Sequence, residues 1–334
     1  MNLMTIVLAL VVFGVIVTVH EMGHFFTAKY FGVTVHEFSV GMGPKLYSKI
    51  KNETEYSIRA LPLGGYVRME GEDSESNDPN SFNNKHPLKR MAIIFAGPFM
   101  NFILTIILMS ILFMIVGVPV NKIGGLVEDM PAANSGLEVG DKIIQIDNIK
   151  IDSWQAVTQS IQSSLDNKLE FIIQRDNEQM LINVDAVEDS GRKVVGISPA
   201  SEKSPGKSLV YGTSQTITML TDMLRFLGKL FTGQAGDEGV VGPVGIISAV
   251  GEAAKSGFAN VISLAAIISL NLGLINLLPI PALDGSRIVF QAIELARGKK
   301  IDPEKEGFVH MIGMILLLAL MLFITSKDIL RLFG

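Results

Sequence analysis

The sequence predicts a polytopic α-helical membrane protein with four transmembrane helices, a membrane-associated β-region after the first helix, and an α+β domain inserted between the second and third. Three observations predict this. The 334 residues are 48% hydrophobic with a mean hydropathy of +0.40, too apolar for a soluble chain of this length. Uncharged runs cover Asn2 to Val19, Met91 to Asn121 and Ser256 to Leu283, and a shorter one covers Met311 to Ser326. Between the second and third runs the pattern changes to short apolar stretches broken by Gly, Pro and Asp, as in a small folded domain.

The first span is expected at about 3–24. It holds no Lys or Arg and no small-residue cleavage signal before His20, so it reads as a retained anchor. Cationic residues gather after it, from Lys29 to Arg90, and again from Arg287 to Lys305. The positive-inside rule places Phe25 to Arg90 and Ser286 to Phe308 in the cytoplasm, with both termini outside. Thr34 to Val40 and Glu55 to Met69 are rich in β-branched and aromatic residues and are broken by Gly41, Gly43, Pro62, Gly64 and Gly65, which predicts short strands with turns over about 34–70. Strand edges cannot face lipid, so this region must be covered by protein or line a wet cavity. Gly71 to Asn84 is an acidic loop, and the second span follows at about 91–117, with Asn101 inside it as an interhelical hydrogen-bond partner.

The inserted domain is expected at 119–190, with a helix over Trp154 to Leu165 and closing strands over Leu169 to Gln174 and Met180 to Val187. About 70 residues can bury a small core without a metal or disulfide. Residues 191–255 read as connecting structure: a Ser/Pro/Gly linker over Gly191 to Lys207, an amphipathic helix over Ser208 to Phe231, and a glycine-rich turn over Gly239 to Gly245. The third span, about 258–283, ends in Pro279 and Pro281. Unwound backbone is tolerated in a membrane only where it faces protein or water, so a substrate could approach there. The fourth span is expected at about 308–326.

A net charge of -5 gives no case for nucleic acid. The absence of cysteine excludes disulfides, iron–sulfur clusters and thiol nucleophiles, so any metal must be held by His and carboxylate. His20-Glu21-Met22-Gly23-His24 closes the first run; imidazoles at i and i+4 share a helix face and can converge on one ion. Asp284 is the candidate third ligand, at a depth in the third span matching that of the histidines in the first. Such a centre implies metal-assisted peptide hydrolysis, in which Glu21 takes the proton of the attacking water and returns it to the departing amine. His36 and His86 are expected to face solvent and His310 to be interfacial or packed. A buried structural network or a metal or proton transporter is the competing reading; four spans with one polar cluster and no inverted repeat disfavour transport.

His20-Glu21-Met22-Gly23-His24 and the gapless Asn276-Leu277-Leu278-Pro279-Ile280-Pro281-Ala282-Leu283-Asp284-Gly285 closely resemble the two motifs of the site-2 protease family of intramembrane zinc metalloproteases, in its bacterial form with a PDZ domain. The resemblance covers essentially the whole chain. It implies that His20, His24 and Asp284 bind Zn2+, that Glu21 is the general base, and that Asn276 holds the unwound substrate or the developing oxyanion. It further implies that the β-region, through Gly43, Gly64, Gly65 and Tyr66, receives substrate as an added strand. Gly242-Pro243-Val244-Gly245 also matches the family. Pro131-Ala132, Gly136-Leu137, Gly140-Asp141 and Ile146-Asp147-Asn148 resemble a single circularly arranged PDZ domain, with a peptide groove expected between Lys122 to Val127 and the Trp154 to Leu165 helix. The implied substrates are single-span membrane proteins, of the anti-sigma-factor or remnant-signal-peptide type, pre-cut by an upstream site-1-type protease. The PDZ domain would bind a peptide or new C-terminus, or screen out bulky substrates. The implied location is the bacterial cytoplasmic (inner) membrane, with the active site near the cytoplasmic side and the PDZ domain outside. A catalytically inactive PDZ-bearing scaffold is the alternative, which the complete motif set disfavours.

Overall fold

A computed structural model of the chain describes residues 3–72, 76–164, 166–189, 191–233 and 242–333. The chain forms two compact units, Met1–Ile111 with Gly212–Gly334, and Leu112–Tyr211. Among the described residues, four helices are long and apolar enough to cross a membrane.

The first unit opens with α1 (Leu3–Tyr30). At 1.5 Å per residue its 28 residues span about 42 Å, enough for a hydrocarbon core of about 30 Å with some excess at the ends. β1 (Val35–Lys51) and β2 (Thr54–Met69) follow as one antiparallel hairpin turning at Asn52 and Glu53, both at positive φ. Each strand bends where glycines had predicted breaks. Ser39 therefore pairs with Tyr66 on one side and Ser57 on the other, and four short segments lie side by side in the order 45–51, 54–59, 35–40, 65–69. Segment 65–69 is an edge of this sheet among the described pairings. Phe25, Val35, Met69, Phe82 and Ile93 form the core beneath it.

α2 (Pro87–Val116) is the second long apolar helix. After the insert come α4 (Pro205–Phe231), α5 (Pro243–Ser256), α6 (Phe258–Asn276), α7 (Asp284–Arg297) and α8 (Pro303–Phe333). α4 carries the amphipathic pattern expected of it. Two expectations need correction. The third span ends at Asn276, not near 283, because Pro279 and Pro281 cannot supply helical donors; Asp284 is instead the first residue of the separate helix α7. The glycine-rich turn before that span begins a helix, with Pro243 at its first position and the buried carboxylate of Asp328 accepting from the free N–H groups of Gly242 (3.3 Å) and Gly245 (2.9 Å). Residues 239–241 of that expected turn lie outside the described residues.

The second unit is an α+β domain. β3 (Val118–Leu126), β4 (Lys142–Ile146), β5 (Ile149–Lys150), β6 (Lys168–Arg175), β7 (Glu178–Asp185) and β10 (Ile197–Glu202) build a sheet of order β10-β3-β4-β6-β7, with β5 paired to β4; β8 (Val187–Asp189) and β9 (Arg192–Val194) form a small hairpin. α3 (Trp154–Ser163), capped by Ser153, packs Val157 and Ile161 into a core with Ile143, Leu169 and Phe171; Leu165, expected in this helix, lies outside the described residues. Arg175 holds buried Asp141 by two bonds of 2.8 Å; burial pushes that carboxyl up, but the guanidinium prevails and keeps it below the usual range. The supposed linker after 190 is partly sheet: β10 pairs along β3 from Ile197–Leu126 to Glu202–Val118. β3 is thus flanked by β10 and β4, so the groove expected along Lys122 to Val127 does not lie at an edge of the sheet, whose strand order ends at β10 on one side and β7 on the other.

Candidate active site

His20 and His24, one turn apart on α1, bring their Nε2 atoms to 3.2 Å of each other. Asp284 Oδ2 lies 3.1 Å from His20 Nε2 and 3.5 Å from His24 Nε2. Both imidazoles are buried, and the three residues form a group able to hold a metal ion. The spacing decides what fits: a tetrahedral ion with bonds of about 2.0–2.1 Å separates its ligand atoms by about 3.3 Å. Zinc therefore fits this donor set in size as well as in chemistry.

α2 supports both imidazoles. His24 Nδ1 donates to the Ile93 carbonyl at 2.9 Å, which leaves Nε2 with its lone pair toward the cluster. The Asn101 amide faces His20 Nδ1 at 3.2 Å, while its Oδ1 is buried without a partner. The amide orientation that turns Oδ1 onto the imidazole gives that oxygen a donor and frees His20 Nε2 in the same way. Ser269 and Thr105 hold the Asn101 carbonyl at 2.9 and 2.8 Å, tying α6 to this point of α2. Between these supports lies Gly97, where a Cβ would stand 2.3 Å from His24 Nε2 and 2.9 Å from His20 Nε2. Only hydrogen fits there.

Asp284 arrives through the loop 277–283. Ala282 holds φ +76, a conformation that costs a non-glycine residue about 1–2 kcal/mol, and its N–H donates to His310 Nδ1 of α8 at 3.1 Å. Gly313, one turn further along α8, lies directly against Pro281. His310 is therefore packed, as expected, and it fixes the turn that delivers Asp284.

Glu21 is partly buried beside the histidines. Its Cγ is 3.3 Å from where a Gly65 Cβ would be, so the sheet edge 65–69 passes against it. Gly43 and Tyr66 belong to a second cluster in the hairpin: Arg59 donates to the Gly43 carbonyl (2.7 Å), to Tyr66 Oη (2.6 Å) and to Glu37 (2.8 Å), and Ser57 donates to Glu37 (2.6 Å). Burial pushes the Glu37 carboxyl up, but Ser57, Arg59 and Tyr66 outweigh it and hold it at about 2. Gly64 adjoins Met42 in the same hairpin. Asn276 ends α6, half-buried, at the opposite end of the loop from Asp284. An apolar groove of about 450 Å³ runs along α1 past Val7, Val11, Val15 and Val19 to Val40 of β1. His36, expected to face solvent, is partly exposed and paired with Glu70 at 2.5 Å. Asn101 was expected only as a helix–helix partner, and Gly97 and the role of His310 were not anticipated at all.

Comparison with known proteins gives the family of the chain. The family model for peptidase family M50 matches residues 8–320. The regulator of sigma-W protease RasP of Bacillus subtilis is 33% identical, covering 98% of this chain and 99% of its own. The zinc metalloprotease RasP of Oceanobacillus iheyensis is 34% identical with the same coverage. A relative from Clostridium acetobutylicum is 40% identical over 98% of each chain. Among solved structures, the PDZ domain of an SdrC-like protein of Listeria monocytogenes is 23% identical with a TM-score of 0.21, covering 25% of this chain and 87% of that one. On its motifs, its four apolar helices and a family match running through nearly all its length, this chain belongs to peptidase family M50.

Proposed function

We propose that the chain is a membrane zinc metallopeptidase that hydrolyses peptide bonds within the transmembrane segments of single-span proteins. The observation that carries this reading is the convergence of His20 Nε2, His24 Nε2 and Asp284 Oδ2 at zinc-ligand spacing, with Glu21 alongside. Zinc held by these three side chains would supply Lewis-acid chemistry, polarising the scissile carbonyl and lowering the pKa of the attacking water so that it reacts as hydroxide. Glu21 receives the proton of that water and returns it to the departing nitrogen. His24 Nδ1 on Ile93 and His20 Nδ1 on Asn101 keep both imidazoles in the metal-binding tautomer. Asn276 donates to the substrate backbone or the developing oxyanion.

A helical segment must lose its internal hydrogen bonds before its carbonyl can be attacked. The edge 65–69 offers replacements beside Glu21, and the apolar groove on α1 leads toward it, so substrate is taken as an added strand there. The name of the Bacillus subtilis relative points to substrates of the sigma-factor-regulating type, delivered already shortened by an upstream site-1-type protease. The inserted domain binds a peptide or newly made C-terminus at the outer edge of β10. The distribution of cationic residues supports an active site near the cytoplasmic side of the bacterial cytoplasmic membrane, with the insert outside.

Glu21→Gln tests the chemistry. It should retain one zinc per chain and lose turnover of a transmembrane substrate in reconstituted vesicles by at least about 10²-fold, the lower range of general acid–base contributions. Turnover at the wild-type rate would remove Glu21 as the base.

A further inference from the structure

α2 touches both histidines directly and reaches Asp284 through another helix. Arg90, Ile93, Gly97 and Asn101 recur at steps of three and four residues and so form one stripe. Ile93, Gly97 and Asn101 contact the imidazoles as described. Arg90, 5% exposed, sends Nη2 to Glu294 Oε1 at 2.6 Å. Glu294 belongs to α7, the helix whose first residue is Asp284, and Arg287 of the same helix, one turn from Asp284, pairs with Glu72.

We propose that the Arg90–Glu294 pair is a positioning device for the third metal ligand: it locks α7 against α2 so that the Asp284 carboxylate stays over the two imidazoles. The inference rests on the reading of Asp284 as a ligand. Glu294 and Asp284 are ten residues apart on one helix, about 15 Å along its axis. A rod pinned at Glu294 and Arg287 holds its first residue in place, and the Ala282 turn bonded to His310 fixes the approach from the other side. Stability alone does not require a buried ion pair, since well-packed apolar residues often serve as well. Apolar packing is non-directional, however, whereas the guanidinium–carboxylate bond sets both the register and the rotation of α7 about its axis.

The test uses the full-length protein loaded with zinc or with cobalt. Arg90→Gln and Glu294→Gln should each speed zinc loss to a competing chelator about tenfold, in the range seen when outer partners of metal ligands are removed. Both should shift the visible absorption of the cobalt form, which reports ligand geometry and not overall folding. The charge-swapped double variant R90E/E294R should recover most of both properties. Wild-type chelator resistance and cobalt spectrum in the single variants, or a swapped pair no better than either, would overturn the proposal. Glu294→Gln preserves shape and carries the test if the Arg90 variant does not fold. Asp284→Asn separates the two readings. If it keeps zinc, the ligand assignment fails and the inference with it; if it loses zinc while the Arg90 and Glu294 variants keep theirs, the inference alone fails.

Discussion

At Gly97 the account reduces to the presence or absence of one carbon atom. The position lies inside a long helix, where replacing glycine by alanine ordinarily favours folding by up to about 1 kcal/mol. Here the added methyl would meet His24 Nε2 at 2.3 Å and His20 Nε2 at 2.9 Å. Gly97→Ala should therefore lower zinc affinity about 10- to 100-fold and, because the methyl overpacks two buried imidazoles, lower the thermal stability of the metal-free protein while leaving its helical content unchanged. Chelator competition beside circular dichroism reads both; unchanged affinity would show that the imidazoles are not held against α2. The convergence of His20, His24 and Asp284 as candidate ligands was legible because His at i and i+4 and a carboxylate in an apolar tract are chemically out of place. Gly97, Arg90 and Glu294 were not. A glycine in an apolar helix and an ion pair 204 positions apart carry no local signature of what they face.

Among the elements, the hairpin of β1 and β2 depends on a buried charge. Glu37, 4% exposed, is tied to Ser57 and Arg59, and its carboxyl is held at about 2 against an ordinary 4.5. A carboxyl depressed by folding contributes stability that is fully present above its unfolded value and is lost as pH falls through the folded one. The hairpin should thus lose protection against hydrogen exchange as pH drops from about 4.5 toward about 2, and Glu37→Gln should be weaker at neutral pH and lack that acid limb. An acid limb retained in Glu37→Gln would assign it to other carboxylates. The sequence marked the bends of this hairpin correctly, because Gly41, Gly43, Gly64 and Gly65 interrupt β-branched runs. It did not show that the bends fold two strands into four segments, since that pairing is non-local. α5 was misread for a different reason: Pro243 and Gly257 bracket it as helix boundaries, but the Asp328 cap that satisfies its first turn comes from the last helix.

Over the whole molecule, four apolar spans and one α+β insert were legible from composition and periodicity, which depend on residues close in sequence. The end of the third span was placed too late because Asp284 was read as part of it. The two prolines separate them, and that break lets a new helix carry the carboxylate to histidines at the other end of the chain. The central claim is that this long-range meeting makes a zinc centre with two imidazoles and one carboxylate. Zinc-edge X-ray absorption on the purified protein tests it most directly, with Asp284→Asn measured in parallel. The account predicts one zinc per chain, two imidazole ligands with the rest oxygen, and loss or rearrangement of the site in the variant. A zinc shell with no imidazole scattering, or one identical in Asp284→Asn and wild type, would contradict it.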